Sequence, residues 1–367
     1  MKVAIIGSGI IGSAIAYELS QVSGLSITLL DQSSPAFGST GAALGVLMGA
    51  ISHKTKGRGW KLRQASLERY ETLIPELESL TGQSIPFNRQ GIVKLRFPGD
   101  EIERWEKLAQ VRASQGWDLE IWDSTQLSQS CPHVQNETVI GAVYSPHDRQ
   151  VNPTILTQAL VTAAQSKGVN CQFGVKVEEM ISPPTDESEN RSCTTLKTST
   201  GTLEVDWLII TAGIGSTPLT ASLAQEIDIR PVLGQALQLQ LDSSLGKQNF
   251  QPVITGNDVH IVPSEYNQYW VGATLEFLNE IGEVEANAAL LKKVKETAIA
   301  FCPDLANATI IRSWSGKRPR PEGRPAPIIE RLPSYNNVLV ATGHYRNGIL
   351  LAPATAQIIR EMILGKS

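Results

Sequence analysis

The sequence predicts an α/β protein in two parts, and three observations carry that prediction. Residues 2–31 read as strand, glycine-rich turn, helix, strand and terminal acid. Helix and strand patterns of the same kind return after residue 150. Between about Arg230 and Leu275 the pattern changes to alternating strands. The first two describe a parallel sheet with crossover helices, and the third an antiparallel sheet polar on one face, hence a second domain.

The N-terminal unit is the most informative. The apolar run 2–6 is followed by Gly7-Ser8-Gly9-Ile10-Ile11-Gly12 and a helical stretch, 13–19. A second apolar run, 27–30, ends on Asp31, nineteen residues after Gly12. This is the dinucleotide fingerprint in its full context. Gly7 allows a tight exit from the strand, Gly9 lets a pyrophosphate approach the backbone, and Gly12 lets the helix lie close to the sheet. The helix N-terminus offers free N–H groups and positive dipole to phosphate. A carboxylate at Asp31 can accept hydrogen bonds from both ribose hydroxyls and would repel a 2′-phosphate, so FAD or NAD is favoured over NADP. Residues 2–19 have the lysine and apolar stretch of a signal peptide, but the glycines and the following strand assign them to a βαβ unit.

Residues 32–38 form a turn-rich loop, and 39–47 are small and apolar. That stretch suits either the flat approach of a large ligand or ordinary close packing. Apolar spacing over 60–81 predicts a helix pair broken at Pro75. Residues 87–97 read as strand, turn and strand, and 101–116 as helix. Gln150-Val151-Asn152-Pro153 precedes a helix over 154–166, then strands over 169–173 and 175–180 that join the first parallel sheet. The polar segment 182–193 reads as a hairpin connection. Residues 203–211 form an apolar strand ending in Thr211-Ala212-Gly213, small residues that permit close approach at a strand's carboxyl end. Alternating strands follow over 236–241, 259–262 and 269–273, then a helix over 285–301. Residues 310–314 lead into a loop, 315–319. The strand 338–342, the segment 343–348 and a last helix from Pro353 to about Leu364 complete the chain.

With 367 residues, 41% hydrophobic and 19% charged, the chain suits two domains, or one with a large insertion. A net charge of −4 argues against nucleic acid as the main partner. The cluster Lys54, Lys56, Arg58, Lys61 and Arg63 reads as a solvated loop and helix start. Cys131, Cys171, Cys193 and Cys302 show no metal-ligand spacing with the five histidines, so free thiols in a reducing compartment and no metal site are expected. No stretch has the uninterrupted apolar length of a membrane span. A cytoplasmic protein without a membrane partner is the expectation.

Three motifs carry a resemblance: the N-terminal run from Gly7 to Tyr17, the segment Ser313-Trp314-Ser315-Gly316-Lys317-Arg318-Pro319, and the run Gly343-His344-Tyr345-Arg346-Asn347-Gly348-Ile349-Leu350-Leu351-Ala352-Pro353. Over essentially its whole length the chain resembles the D-amino acid oxidase family of FAD-dependent oxidoreductases, most closely the glycine-oxidase-like members of bacterial thiamine biosynthesis. The resemblance implies a doubly wound FAD-binding domain assembled from discontinuous segments (1–82, 145–228 and 308–367). It also implies an α+β substrate domain with a mainly antiparallel sheet (83–144 and 229–307). FAD contacts are expected from Gly7, Gly9, Ile10, Ile11, Gly12, Asp31, Gln32, Ser39, Thr40, Ala42, Ala43, Leu44, Gly45, Val175, Ala212 and Gly213. Arg346, Asn347, Gly348, Ile349 and Leu350 are expected to line the flavin.

Arg318 is expected to grip the substrate carboxylate, since a planar guanidinium pairs bidentately with a carboxylate and fixes its orientation. From the residues alone a surface arginine, like Arg320 and Arg324, is the favoured reading, and the clamp is what the resemblance implies. His344 and Arg346 read either as loop structure or as part of the flavin edge. Relatives often place a tyrosine where this chain has His260, so His260 is a candidate active-site residue that would alter hydrogen bonding and substrate choice. Sarcosine oxidases hold flavin through a cysteine near the substrate arginine, whereas Ser315-Gly316-Lys317 stand here, so non-covalent FAD is expected. The resemblance implies oxidative deamination of glycine, sarcosine or D-alanine with O2 as acceptor, by a homo-oligomer. The alternative is a D-amino acid dehydrogenase passing electrons to quinone. A non-catalytic or tRNA-modifying flavoprotein is disfavoured by the acidic charge and by Arg318.

Overall fold

The computed structural model describes residues 1–183, 191–223, 225–280 and 282–365. The chain opens with β1 (Lys2–Ile6), α1 (Ile10–Ser20) and β2 (Ser26–Asp31), then β3 (Val46–Leu47) and α2 (Gly57–Thr81). Next come β4 (Phe87–Asn88), β5 (Ile92–Arg96), α3 (Ile102–Ser114), β6 (Glu120–Asp123), α4 (Ser124–Ser130) and β7 (Gly141–Ser145). β8 (Arg149–Val151), α5 (Pro153–Ser166) and β9 (Asn170–Phe173) are followed by β10 (Val177–Ile181), β11 (Thr195–Thr198), β12 (Gly201–Glu204), β13 (Trp207–Ile210) and α6 (Ser216–Ser222). The rest comprises β14 (Ile229–Gln240), β15 (Val253–Gly256), β16 (Val259–Pro263), β17 (Gln268–Gly272), α7 (Ala288–Phe301), β18 (Thr309–Pro321), β19 (Ile328–Arg331), β20 (Val338–Thr342) and α8 (Gly348–Ile363).

A six-stranded sheet runs β19-β20-β13-β1-β2-β9, parallel except at the β19 edge. Its central strands are apolar without alternation because both faces are buried. Val3, Ile5, Leu29, Ile209 and Leu339 pack beneath α1, α2, α5 and α8. Ala4, Ile6, Leu30, Leu208 and Ile210 face the other way, onto Met180 and Leu196 of the small antiparallel sheet β10-β11-β12.

The second large sheet runs β18-β14-β17-β16-β15-β5-β7-β6, antiparallel at every pairing except β15 with β5. One face carries Val93, Leu95, Leu237, Leu239, Ile254, Ile261 and Val271, packed with Val294, Ala298 and Phe301 of α7. Directly paired residues share a face. The register therefore puts Lys94, Thr255, His260, Gly272, Ala236 and Trp314 in one row on the opposite face. That face meets Leu44, Val46 and Met48.

Several local expectations are corrected. α2 is one helix that continues through Pro75, because Leu73, Ile74 and Leu77 on either side are buried in the core shared with α1 and α8. Residues 175–180 leave the parallel sheet: Gly174, at φ +73°, turns the chain, and β10 pairs with β11. The expected strand 203–211 is two strands in different sheets. Asp206, between them, accepts the Lys2 amide at 2.7 Å and donates its own to the Lys2 carbonyl at 2.8 Å. The strand–turn–strand 87–97 is present, but β4 and β5 also belong to different sheets. β10 and β11 pair antiparallel across the expected hairpin connection, of which 184–190 lie outside the described residues.

Candidate active site

At the carboxyl end of β1 the glycines are required by contact as well as by conformation. A methyl group on Gly12 would fall 1.8 Å from the Gly7 carbonyl oxygen, and one on Gly7, at φ +111°, would fall 2.8 Å from the Thr211 carbonyl oxygen. α1 therefore lies against the β1 turn at a distance only glycine allows. The Ile10 amide donates to Thr40 Oγ1 at 3.0 Å. Ile11 and Gly12, in the first helical turn, have no acceptor within the helix for their amides. Asp31 Oδ2 accepts the Ser8 amide at 2.7 Å and the Ser8 hydroxyl at 3.0 Å, and Oδ1 accepts the Ser33 amide at 2.8 Å. Gln32, beside it, is exposed. Val175 is buried and donates its amide to the Asp31 carbonyl at 2.9 Å, which places it beside the acid.

The segment 39–45 is clasped by β18. Ser39 Oγ donates to the Lys317 carbonyl at 2.6 Å, and Trp314 Nε1 donates to the Ala42 carbonyl at 3.1 Å. A methyl on Gly316 would lie 2.2 Å from the Ala42 Cβ. Ala43, Leu44 and Gly45 continue toward β8, where a methyl on Gly45 would collide with the Val151 carbonyl oxygen at 1.8 Å. Ala212 and Gly213 follow β13, and the Gly213 carbonyl accepts Thr342 Oγ1 at 3.1 Å. β18 thus reaches two of the small-residue segments singled out for a dinucleotide, residues 39–42 and Gly213, the latter through Pro319.

α8 begins at Gly348, five residues before its expected start, and Pro353 lies inside it. Proline has no N–H, which strips the Ile349 carbonyl of its helical donor. The buried Tyr70 hydroxyl donates to that carbonyl instead, at 2.5 Å. Ile349 and Leu350 are buried in the core, Asn347 ends a short 3-10 turn (Tyr345–Asn347), and Gly348 opens the helix. His344 is buried, with Nε2 3.0 Å from Thr355 Oγ1, and burial pushes it down to about 3. That is a structural histidine.

Arg318 is in β18, not in a loop. Its register opposite Val232 turns it onto the same face as Gly316 and Trp314. The guanidinium lies across Gly234, where a methyl group would fall 2.2 Å from Nη2. Nη1 donates to the carbonyls of Leu233 at 3.1 Å and Thr274 at 3.2 Å. Among the described residues no carboxylate forms a salt bridge with it, although it is substantially buried. Among the described residues its Nε and Nη2 edge has no hydrogen-bond acceptor. Burial, then Arg346, lower its pKa, while Tyr345 and Glu276 oppose the shift.

His260 belongs to the same sheet face. Its Nδ1 is buried without a hydrogen-bond partner among the described residues. Burial first, then Lys94, push it down to about 4 against the opposing charge of Asp258, so it is neutral near pH 7. Arg346 is exposed, with Nη1 3.5 Å from Oδ1 of Asp258 in the β15–β16 turn. Arg320 and Arg324 are surface residues paired with Glu322 and Glu330. Ser8, Tyr70 and Gly234 were not expected at the site. Of these only Gly234 had a signal, as a glycine inside a strand where something approaches closely.

Residues 2–362 match the family model described as FAD dependent oxidoreductase. The chain is 30% identical to the bifunctional protein ThiO/ThiG of Nostoc sp., covering 99% of this chain but 52% of that protein, so it spans about half the length of that relative. It is 27% identical to the glycine oxidase of Geobacillus kaustophilus, covering 98% of this chain and 92% of that one. The crystal structure of glycine oxidase from Geobacillus kaustophilus superposes with a TM-score of 0.87 at 26% identity, over 100% of this chain and 95% of the other. The glycine cradle, the capped α1 terminus and the acid at the end of β2 fit a dinucleotide, and with the match over residues 2–362 they establish that the chain belongs to the FAD-dependent oxidoreductase family.

Proposed function

We propose that the chain catalyses oxidative deamination of glycine and small relatives such as sarcosine and D-alanine, with O2 as the final acceptor. The carrying observation is the Arg318 guanidinium, substantially buried, without a carboxylate partner among the described residues, and open along one edge. A buried cation with no ion pair is costly, and a substrate carboxylate supplies the missing charge in bidentate form. FAD, when bound, supplies the acceptor for a hydride from the substrate α-carbon, which carries both electrons of the oxidation.

The protein's part is mainly positioning. Arg318 holds the carboxylate from β18, the strand that also clasps residues 39–42, so substrate and cofactor are held by one element. Neutral His260 presents an uncharged polar surface on the same face. Arg346 guards the rim, restrained by Asp258. The fingerprint glycines, Asp31, the 39–45 segment, Val175, Ala212, Gly213 and residues 346–350 hold the cofactor. The division into a nucleotide-binding part (1–82, 145–228, 308–367) and a substrate part (83–144, 229–307) follows this reading, with β18 at their junction. FAD is held non-covalently: β18 carries no cysteine, and Cys131 and Cys302 lie in the core on the far face of its sheet.

The test is anaerobic mixing of the purified yellow protein with glycine, sarcosine or D-alanine, followed by air. Flavin bleaching, recovery of colour and one peroxide per turnover are expected. Bleaching without oxygen reactivity, but with fast transfer to a quinone, would identify a dehydrogenase. Absence of bleaching by any of the three amines would overturn the substrate assignment.

A further inference from the structure

The two carbonyls that hold Arg318 belong to Leu233 and Thr274, and both are organised by one buried acid. Glu276 is 6% exposed. Its backbone exchanges hydrogen bonds with Leu233, at 3.0 Å from the Glu276 amide and 2.9 Å to its carbonyl. Its carboxylate accepts Gln235 Nε2 at 2.9 Å, the Asn287 amide at 2.6 Å and the Thr274 hydroxyl. The Thr274 hydroxyl in turn accepts the Gln235 amide at 2.8 Å, and the Thr274 amide donates to the Gln235 carbonyl at 3.1 Å. Asn287 caps α7 through Ala289 at 2.9 Å, so the carboxylate joins the chain after β17 both to β14 and to a helix start.

We propose that Glu276 is the positioning residue of the Arg318 clamp, setting the Leu233 and Thr274 carbonyls that aim the guanidinium's open edge at a substrate carboxylate. This rests on the reading of Arg318 given above. The carboxylate satisfies three donors at once. A glutamine there has one acceptor oxygen and turns an NH2 toward another donor, so the 274–276 segment must shift. The Thr274 carbonyl shifts with it, and Arg318 loses one of its two supports. The charge contributes too, because Glu276 favours the protonated guanidinium against burial and Arg346.

The experiment is a double-mutant cycle on the holoenzyme with Glu276→Gln, Arg318→Ala and the pair. Readouts are acetate binding, measured by its perturbation of the flavin spectrum, and the kcat and KM for glycine. Glu276→Gln is expected to weaken acetate binding and raise the glycine KM on the order of 10- to 100-fold, the range for losing an outer partner of a ligand-gripping group. FAD content stays near that of the parent. In the Arg318→Ala background the same substitution should change acetate binding by less than about twofold, because coupled residues are non-additive. Glu276→Asp, which keeps the charge, should recover part of the loss. Thr274→Val breaks the hydroxyl link alone and should give the same coupling, which covers the case of a poorly folding Glu276→Gln. Equal losses in both backgrounds would mean a general structural role and overturn the proposal while leaving Arg318 in place. Unchanged acetate binding in Arg318→Ala alone would overturn the clamp reading and this proposal together.

Discussion

At the scale of single residues, Arg318 and Gly234 act as one device. The guanidinium lies flat because the strand beneath it has no side chain at that point. Truncating one side of a buried charge pair costs about 2–5 kcal/mol, on the order of 30- to several-thousand-fold in kcat/KM. Arg318→Ala should show that loss for glycine while retaining its FAD. Arg318→Lys should recover only a fraction, since an ammonium is a point charge and not a fork. Arg320→Ala and Arg324→Ala, each paired with a surface glutamate, are controls expected to stay within about twofold of the parent, as surface pairs contribute little. If all three alanine variants behaved alike, the substrate carboxylate would be held elsewhere. Arg318 was singled out by the family resemblance of the motif around it, where the residues alone favoured a surface arginine. Its strand setting and its glycine floor were not legible, because both depend on pairing with β14, some eighty positions away in the chain.

At the scale of elements, the helices at the cofactor end depend on partners outside themselves. α8 contains Pro353, and Tyr70 of α2 supplies the hydrogen bond that proline cannot. Tyr70→Phe leaves the Ile349 carbonyl buried and unpaired, at a cost of about 1–3 kcal/mol. It should lower the urea midpoint accordingly, and a midpoint unchanged from the parent would show that the helix tolerates the orphan. α1 has a parallel arrangement: Thr40, thirty positions along, accepts the amide of its first residue, Ile10. A methyl on Gly9 would already stand 3.2 Å from that Thr40 hydroxyl. Gly9→Val should therefore fold but purify without flavin, because its side chain occupies the pyrophosphate's approach. A yellow Gly9→Val protein with full FAD content would contradict this use of the turn. Local pattern located both helices, yet Pro75 and Pro353 were read as boundaries. Proline does end isolated helices, and here buried packing on both sides of each proline outweighs that preference.

At the scale of the whole molecule, three histidines in three different parts of the fold share one behaviour. His133 lies under the eight-stranded sheet, His260 on its opposite face and His344 beside α8, and burial lowers them to about 4, about 4 and about 3. Between the unfolded value near 6.5 and these values, the unfolded chain binds protons that the folded chain refuses. Stability is therefore intact above about pH 6.5 and falls on acidification toward pH 4, on the order of 3 kcal/mol for each histidine over that interval. Asp148 acts in the opposite sense, since burial raises its carboxyl against the three backbone amides that hold it. Urea midpoints of the holoenzyme measured from pH 8 to pH 4.5 should drop steadily below 6.5. A flat profile would show that these histidines are protonated in the folded state.

The sequence by itself determined the βαβ unit, its three glycines and acid, and the alternating strands of a second, mainly antiparallel sheet. These are short-range features: spacing within about thirty residues, alternation along a strand, and residue types that suit one chemistry. Tertiary structure alone decided that residues 175–180 leave the parallel sheet and that β18 is shared between clasping the 39–42 segment and presenting Arg318. It also decided that Glu276 stands behind that arginine. Each of these rests on hydrogen bonds between strands or helices distant in the chain, and one residue's pattern carries no record of which distant backbone will complete it.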